Sequence, residues 1–191
     1  MKEELPHDQY QNNGESLPIA EIQEDGPEAA AAMEILGRSI EVSPTLDGDI
    51  AVCLIKPDAY RDRAAIIARL EESGLYVVSR KARKLSEGLI ERLYASEGVP
   101  APIMDATQKH FASGSSEIVI VKGADAIKRL LTTAGLETNP ALCDAASIRH
   151  MFGKHVPEEL GQGLKYYQNA LHRPKNIAEN ESNLQTLREA S

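Results

Sequence analysis

From Ile50 onward, short unbroken apolar runs alternate with longer stretches whose apolar residues return every three or four positions. The first kind predicts buried strands and the second amphipathic helices. "IAVCLIKP" reads as a strand closed by Lys-Pro-Asp, and "RDRAAIIARLEESG" as a helix stopped at Gly74. "LYVVSRKARKL" is a second strand, and Ser86 stands where an N-cap would open a helix over "SEGLIERLYASEG". "PIMDATQKHFASG" continues as a helix ending at Gly114. "EIVIVKG" is a strand, "ADAIKRLLTTAG" a helix, and "PALCDAASIRHMFG" partly helical. "GLKYYQNALH" reads as one last short strand and "NIAENESNLQTLREA" as the last helix. The order β-α-β-α-α-β-α-(α)-β-α predicts an α/β sandwich of about four strands with helices packed on the sheet.

Residues 1–48 do not follow this pattern. They form an acidic, polar tail, expected to be partly disordered. Pro27, an alanine run and Gly-Arg-Ser mark a short helix near 27–38 within it. The start of the chain lacks the basic-then-apolar order of a signal peptide, and no stretch has the length of a membrane span. The folded domain is expected over 49–191.

Composition narrows the picture. Hydrophobic residues make up 42% of the 191, but aromatics only 4%, with no Trp, so the core must be aliphatic. The formal net charge of -8 speaks against nucleic-acid binding through a basic surface. It leaves room for a local basic pocket that takes a phosphorylated small molecule. Cys53 and Cys143 show neither metal-ligand spacing nor a disulfide framework, which fits a reducing, cytoplasmic setting.

Three places carry candidate chemistry. Lys56 ends the first apolar run, where a compact positive charge at the rim of the sheet suits phosphate oxygens. Pro57 halts strand pairing there, and Asp58 is placed to cap the next helix. Thr138-Asn139-Pro140 is a turn with a hydroxyl, followed by Arg149, whose planar fork of donors suits phosphate. In "QNALHRPKN", Asn169 stands three residues before His172. A neutral imidazole is a nucleophile when its second ring nitrogen has a fixed partner.

Taken in order, "IKPD", Tyr94 in "RLYASEG", "ETNP", "SIRHMFG" and "NALH" resemble the nucleoside diphosphate kinase family over residues of about 50 to 188. The resemblance implies a ferredoxin-like βαββαβ fold, a four-stranded antiparallel sheet with added helices. It implies a homo-oligomer: hexamer, tetramer or dimer. By the same resemblance, His172 is the phosphorylated histidine, Lys56 assists the transferred phosphate and bonds the ribose, and Tyr94 lies beside the histidine. Asn169 binds the sugar and phosphate end, and Thr138 and Arg149 hold the distal phosphates. Arg129 is the candidate for a second phosphate-binding arginine, and Ile103 falls where the family stacks an aromatic on the base. The partners implied are ATP and other nucleoside di- and triphosphates. The cofactor implied is Mg2+, held mainly by nucleotide phosphates rather than by protein ligands. The reaction implied is a ping-pong transfer of the terminal phosphate, through phospho-His172, from a triphosphate to a diphosphate.

The chain departs from the family in five respects. Arg173-Pro174 replaces the family's Gly-Ser after the histidine, removing a supporting hydroxyl. The glutamate that orients the ring aligns with Asn183, with Glu179 and Glu181 nearby. Ile103 is not aromatic. The interval from Arg129 to "TNP" is long. About ten residues are inserted between Arg149 and Asn169. Arg173 or Lys175 is placed to supply replacement charge. These departures define the alternative: a catalytically weak or inactive nucleotide-binding, regulatory module on the same fold.

Overall fold

Both faces of the strand β1 (Ile50–Ile55) are buried, which is why its sequence is apolar without alternation. Ala51, Cys53 and Ile55 face one layer, Val52 and Leu54 the other. The structure is a computed structural model that describes residues 50–190; the tail and the helix expected near 27–38 lie outside those residues. β1 pairs antiparallel with β3 (Ser116–Lys122) on one side and β6 (Leu171–His172) on the other; β2 (Tyr76–Arg83) pairs with β3 at the far edge. The four-stranded antiparallel sheet therefore runs β2-β3-β1-β6, as a ferredoxin-like fold requires.

Helix α1 (Arg63–Glu72) and α4 (Ala126–Ala134) cover one face through Ile66, Leu70, Ile127 and Leu130. Helices α2 (Glu87–Tyr94), α3 (Ala101–Ala112) and α6 (Ile177–Glu189) cover the other through Leu89, Leu93, Phe111 and Leu187. The short α5 (Ile148–Phe152) follows a 3-10 turn at Pro140–Leu142. Local chemistry sets several boundaries as the sequence suggests. Ser86 accepts from Leu89 N, and Gly74 takes φ +82 just beyond α1, where a side chain would strain the backbone.

Two expectations need correction. The single strand over "GLKYYQNALH" is divided: Leu164–Tyr166 is β5, paired with β4 (Glu158–Gly161) in a separate hairpin, and only Leu171–His172 joins the main sheet. Asp58 does not cap the turn after β1. Its carboxylate instead accepts from Ala170 N at 3.0 Å and faces His110 Nε2 at 3.1 Å. A buried backbone donor and a buried imidazole gain more from that charge than an exposed turn would.

Candidate active site

The end of β1 and the two-residue strand β6 lie side by side, with Leu54 opposite His172. Ala170, just before β6, holds φ +63, a left-handed conformation uncommon for a residue with a Cβ. Lys56 N donates to its carbonyl at 2.8 Å, and its own N donates to Asp58. These bonds hold the backbone so that Asn169 and His172 both face a cavity of about 210 Å³.

Lys56 is buried, not the solvated rim charge its position at the strand end suggests. Its Nζ donates to Asn169 Oδ1 at 2.8 Å and stands 6.0 Å and 5.7 Å from the ring centres of Tyr94 and Phe111. Burial lowers its pKa to about 8, against the opposing pull of Asp58. Asn169 Nδ2 in turn donates to Thr138 O at 3.2 Å, which ties the "TNP" turn to the site.

The His172 ring is packed at 4.6 Å, centre to centre, against Tyr94. Its Nε2 lies 3.2 Å from the Asn183 amide, and its Nδ1 3.9 Å from Glu97 Oε1. Burial, and then the charges of Lys56, Arg149, Arg173 and Lys175, push the imidazole pKa well below its ordinary value. The ring is therefore neutral at physiological pH, the nucleophilic form. Tyr94 Oη is buried without a hydrogen-bond partner among the described residues.

The cations are arranged in two ways. Arg149 is buried and braces the backbone, donating to Leu171 O (3.1 Å) and Glu137 O (2.8 Å). Burial lowers its pKa to about 10, so it stays charged at neutral pH. Arg173 donates through Nη2 to Gly135 O and Leu136 O, while its buried Nε has no partner among the described residues. A buried donor left unpaired in a cationic pocket is a place for an anion's oxygen. Lys175 Nζ pairs with Glu97 at 2.7 Å on the rim.

The structure thus brings Lys56, Tyr94, Ile103, Thr138, Arg149, Asn169 and His172 to one cavity. It does not bring Arg129. That side chain donates to Ala124 O and Ser73 O, near the end of the sheet away from His172. It closes the turn at Gly74, whose Cα would carry a Cβ 2.9 Å from its guanidinium. The longer interval before "TNP" places Arg129 early on α4, one end of the sheet too far, and Arg173 stands in the pocket instead. Asn183 is the residue on the ring, as ungapped counting along α6 indicates. Glu179 is buried nearby and accepts from Lys175 N, whereas Glu181 is exposed. Glu97, which the sequence pattern does not single out, is the one carboxylate among the residues lining the pocket. Its only sequence signal is its place three residues after Tyr94.

Glu97, His172 and Glu179 each offer a ligand atom within 4.8 Å of the others. Four cations surround that group, so the cavity is built for an anion rather than for a bare metal ion. Among the described residues no helix is long and apolar enough to cross a membrane.

A family model described as nucleoside diphosphate kinase matches residues 49–189. The chain is 35% identical over 126 residues to a nucleoside diphosphate kinase of Brucella canis, covering 60% of this chain and 89% of that one. It is 29% identical over 150 residues to a thioredoxin domain-containing protein 3 homolog of Ciona intestinalis, covering 76% of this chain and 20% of that one. Among solved structures, it is similar to a nucleoside diphosphate kinase of Borrelia burgdorferi with bound vanadate and ADP. The TM-score is 0.64 at 21% identity, over 72% of this chain and 84% of that one. A Pyrobaculum aerophilum enzyme superposes with a TM-score of 0.60 at 20% identity, over 72% and 94%. Those two likenesses establish the fold.

Proposed function

Because the chain belongs to the nucleoside diphosphate kinase family, we propose that it moves the terminal phosphate of a nucleoside triphosphate to a nucleoside diphosphate through phospho-His172. The observation that carries this reading is the state of His172: neutral, held at Nε2, and facing a pocket lined by five cations, Lys56, Arg149, Lys165, Arg173 and Lys175. An amide offers either a donor or an acceptor by a half-turn. Asn183 Nδ2 stands at Nε2; turned so that Oδ1 faces the ring instead, the amide lets Nε2 keep its proton and leaves the Nδ1 lone pair free.

Nδ1 then attacks the terminal phosphorus, and the bond to the bridging oxygen breaks. The electron pair leaves on the diphosphate, which departs. A second diphosphate attacks the phosphohistidine by the reverse path. Lys56, Arg149, Arg173 and Lys175 neutralise charge spread over the phosphoryl oxygens, and this positioning is most of the catalysis. Arg173 and Lys175 supply charge where the family's serine is missing.

A divalent ion fits this site as a passenger on the phosphates. The wall offers one carboxylate, Glu97, already paired with Lys175. Such an ion, Mg2+ in this reading, adds neutralisation of the phosphate oxygens. The setting of the reading is a cytoplasmic homo-oligomer acting on ATP and other nucleotides.

The test is incubation with terminally labelled ATP and magnesium, intact-mass analysis for an acid-labile, base-stable phosphate, and a chase with GDP. Label that forms on the wild type, is absent in His172→Ala and passes to GDP is the expected result. Nucleotide binding without any label would instead select the regulatory module.

A further inference from the structure

The segment inserted between Arg149 and Asn169 has no part in the mechanism above, yet it is built into the site. Its hairpin turns at Gly161, Gln162 and Gly163, all with positive φ, and its foot is closed by Lys154 N donating to Gln168 O at 2.7 Å. Tyr166 fastens it to the protein. That ring is buried, its hydroxyl lies 2.8 Å from His110 Nδ1, and it meets the imidazole edge-on at 5.9 Å. His110 Nε2 faces Asp58, whose other oxygen accepts from Ala170 N. A buried chain of polar groups therefore ties the hairpin to the backbone turn that leads into His172, and the hairpin is a fixed wall of the site.

The next residue, Tyr167, is half-buried and lines the cavity together with Val99, Ile103 and Leu136. Lys56, Arg149, Arg173 and Lys175 are the cations that act on His172, and the hairpin's own Lys165 is paired with Glu159, so Tyr167 and these apolar side chains are the part of the lining left to an uncharged group. Three tyrosines line the cavity. Tyr94 is packed on His172 and Tyr166 is locked on His110. Tyr167 is the remaining aromatic surface.

We propose that Tyr167, delivered by the inserted hairpin, is the platform for the nucleotide base, in the place where α3 offers only the aliphatic Ile103. This rests on the nucleotide reading above. An aromatic face accepts any heteroaromatic base, so the contact adds affinity with little choice among bases.

The experiment is calorimetric titration of the full chain with ATP and, separately, with inorganic tripolyphosphate, which has the charge but no base. Tyr167→Ala should weaken ATP about tenfold and leave tripolyphosphate within about twofold. Tyr167→Phe should recover most of the loss. Tyr76→Ala, an exposed tyrosine at the other end of the sheet, serves as the control. Unchanged ATP affinity in Tyr167→Ala, or equal weakening of both ligands, overturns the proposal. Should the alanine variant not fold, Tyr167→Trp puts a single tryptophan into a chain that has none. Its emission should then respond to ATP and not to tripolyphosphate, and the same response to both is a refutation. A wild type that binds neither ligand ends both readings. One that binds both without phosphohistidine ends only the catalytic one.

Discussion

At the scale of single residues, the proposed chemistry rests on two groups that burial has moved. Lys56 loses its proton near pH 8 in the free protein, and His172 stays neutral well below its ordinary range. kcat/KM reports the free enzyme. It should therefore hold steady as pH falls through about 6.5 and decline as pH rises through about 8, when Lys56 becomes neutral. Lys56→Arg, which keeps the charge, should flatten the alkaline limb; a wild-type profile with no decline up to about pH 9.5 would refute this role for Lys56. Asn183 belongs to the same scale. Asn183→Ala leaves Nε2 buried without a fixed partner, and phosphohistidine formation should slow about tenfold or more. Rapid-quench labelling reads that rate directly. The types and order of these residues are legible in the sequence. Their protonation states are not, because desolvation depends on neighbours from distant parts of the chain. Lys56 shows the difference: the end of an apolar run suggests a solvated rim, and packing against Asn169, Tyr94 and Phe111 buries it.

At the scale of elements, apolar periodicity predicts the helices and the three long strands because each repeats one pattern over several turns or pairs. It fails over "GLKYYQNALH", where the chain serves two sheets within ten residues. No local rule separates β5 from β6. The separation comes from Asp58 and Lys56 gripping Ala170 between them. One join between elements is equally hidden. Asn180 on α6 accepts from Val52 N and donates to Ile50 O, both at 3.0 Å, standing in for a strand at the edge of β1. Asn180→Leu removes both partners from a nine-tenths-buried place. It should cost about 2–6 kcal/mol, since each of the two unpaired buried backbone groups costs about 1–3 kcal/mol. Urea unfolding checks this, and a cost under about 0.5 kcal/mol would mean that solvent reaches the edge.

At the scale of the molecule, the candidate active site is also a source of pH-dependent stability. His172 has a folded pKa below its unfolded value, so the unfolded chain takes up protons first as pH falls. Asp58 works in the same direction. Burial raises its pKa, but the hydrogen bond and charge of His110, the charge of Lys56 and the Ala170 N–H outweigh that and lower it. Stability present at neutral pH should be lost progressively, first below about pH 6.5 through His172 and then below about pH 4 through Asp58. Thermal unfolding at pH 7 and pH 5 should differ by on the order of 1–2 kcal/mol through His172. His172→Asn should remove most of that difference, and an unchanged slope would show that other groups carry it.

By itself, the sequence determines the kinds of elements, their order and the set of chemical groups, because periodicity, capping and turn chemistry act within a few residues. It also carries the motif order that leads to the family. Only the tertiary structure decides which of those groups meet. Lys56 and Asn169 touch across 113 positions because β1 and the turn before β6 are neighbours in one sheet. Arg129 is excluded because α4 begins at the other end of that sheet, and Arg173 takes a place in the pocket. Nor does spacing reveal that the inserted hairpin lines the pocket, since that depends on a bond between Tyr166 and His110, 56 positions apart. Long-range contacts of this kind follow from the way layers pack, and packing is a property of the whole chain rather than of any stretch of it.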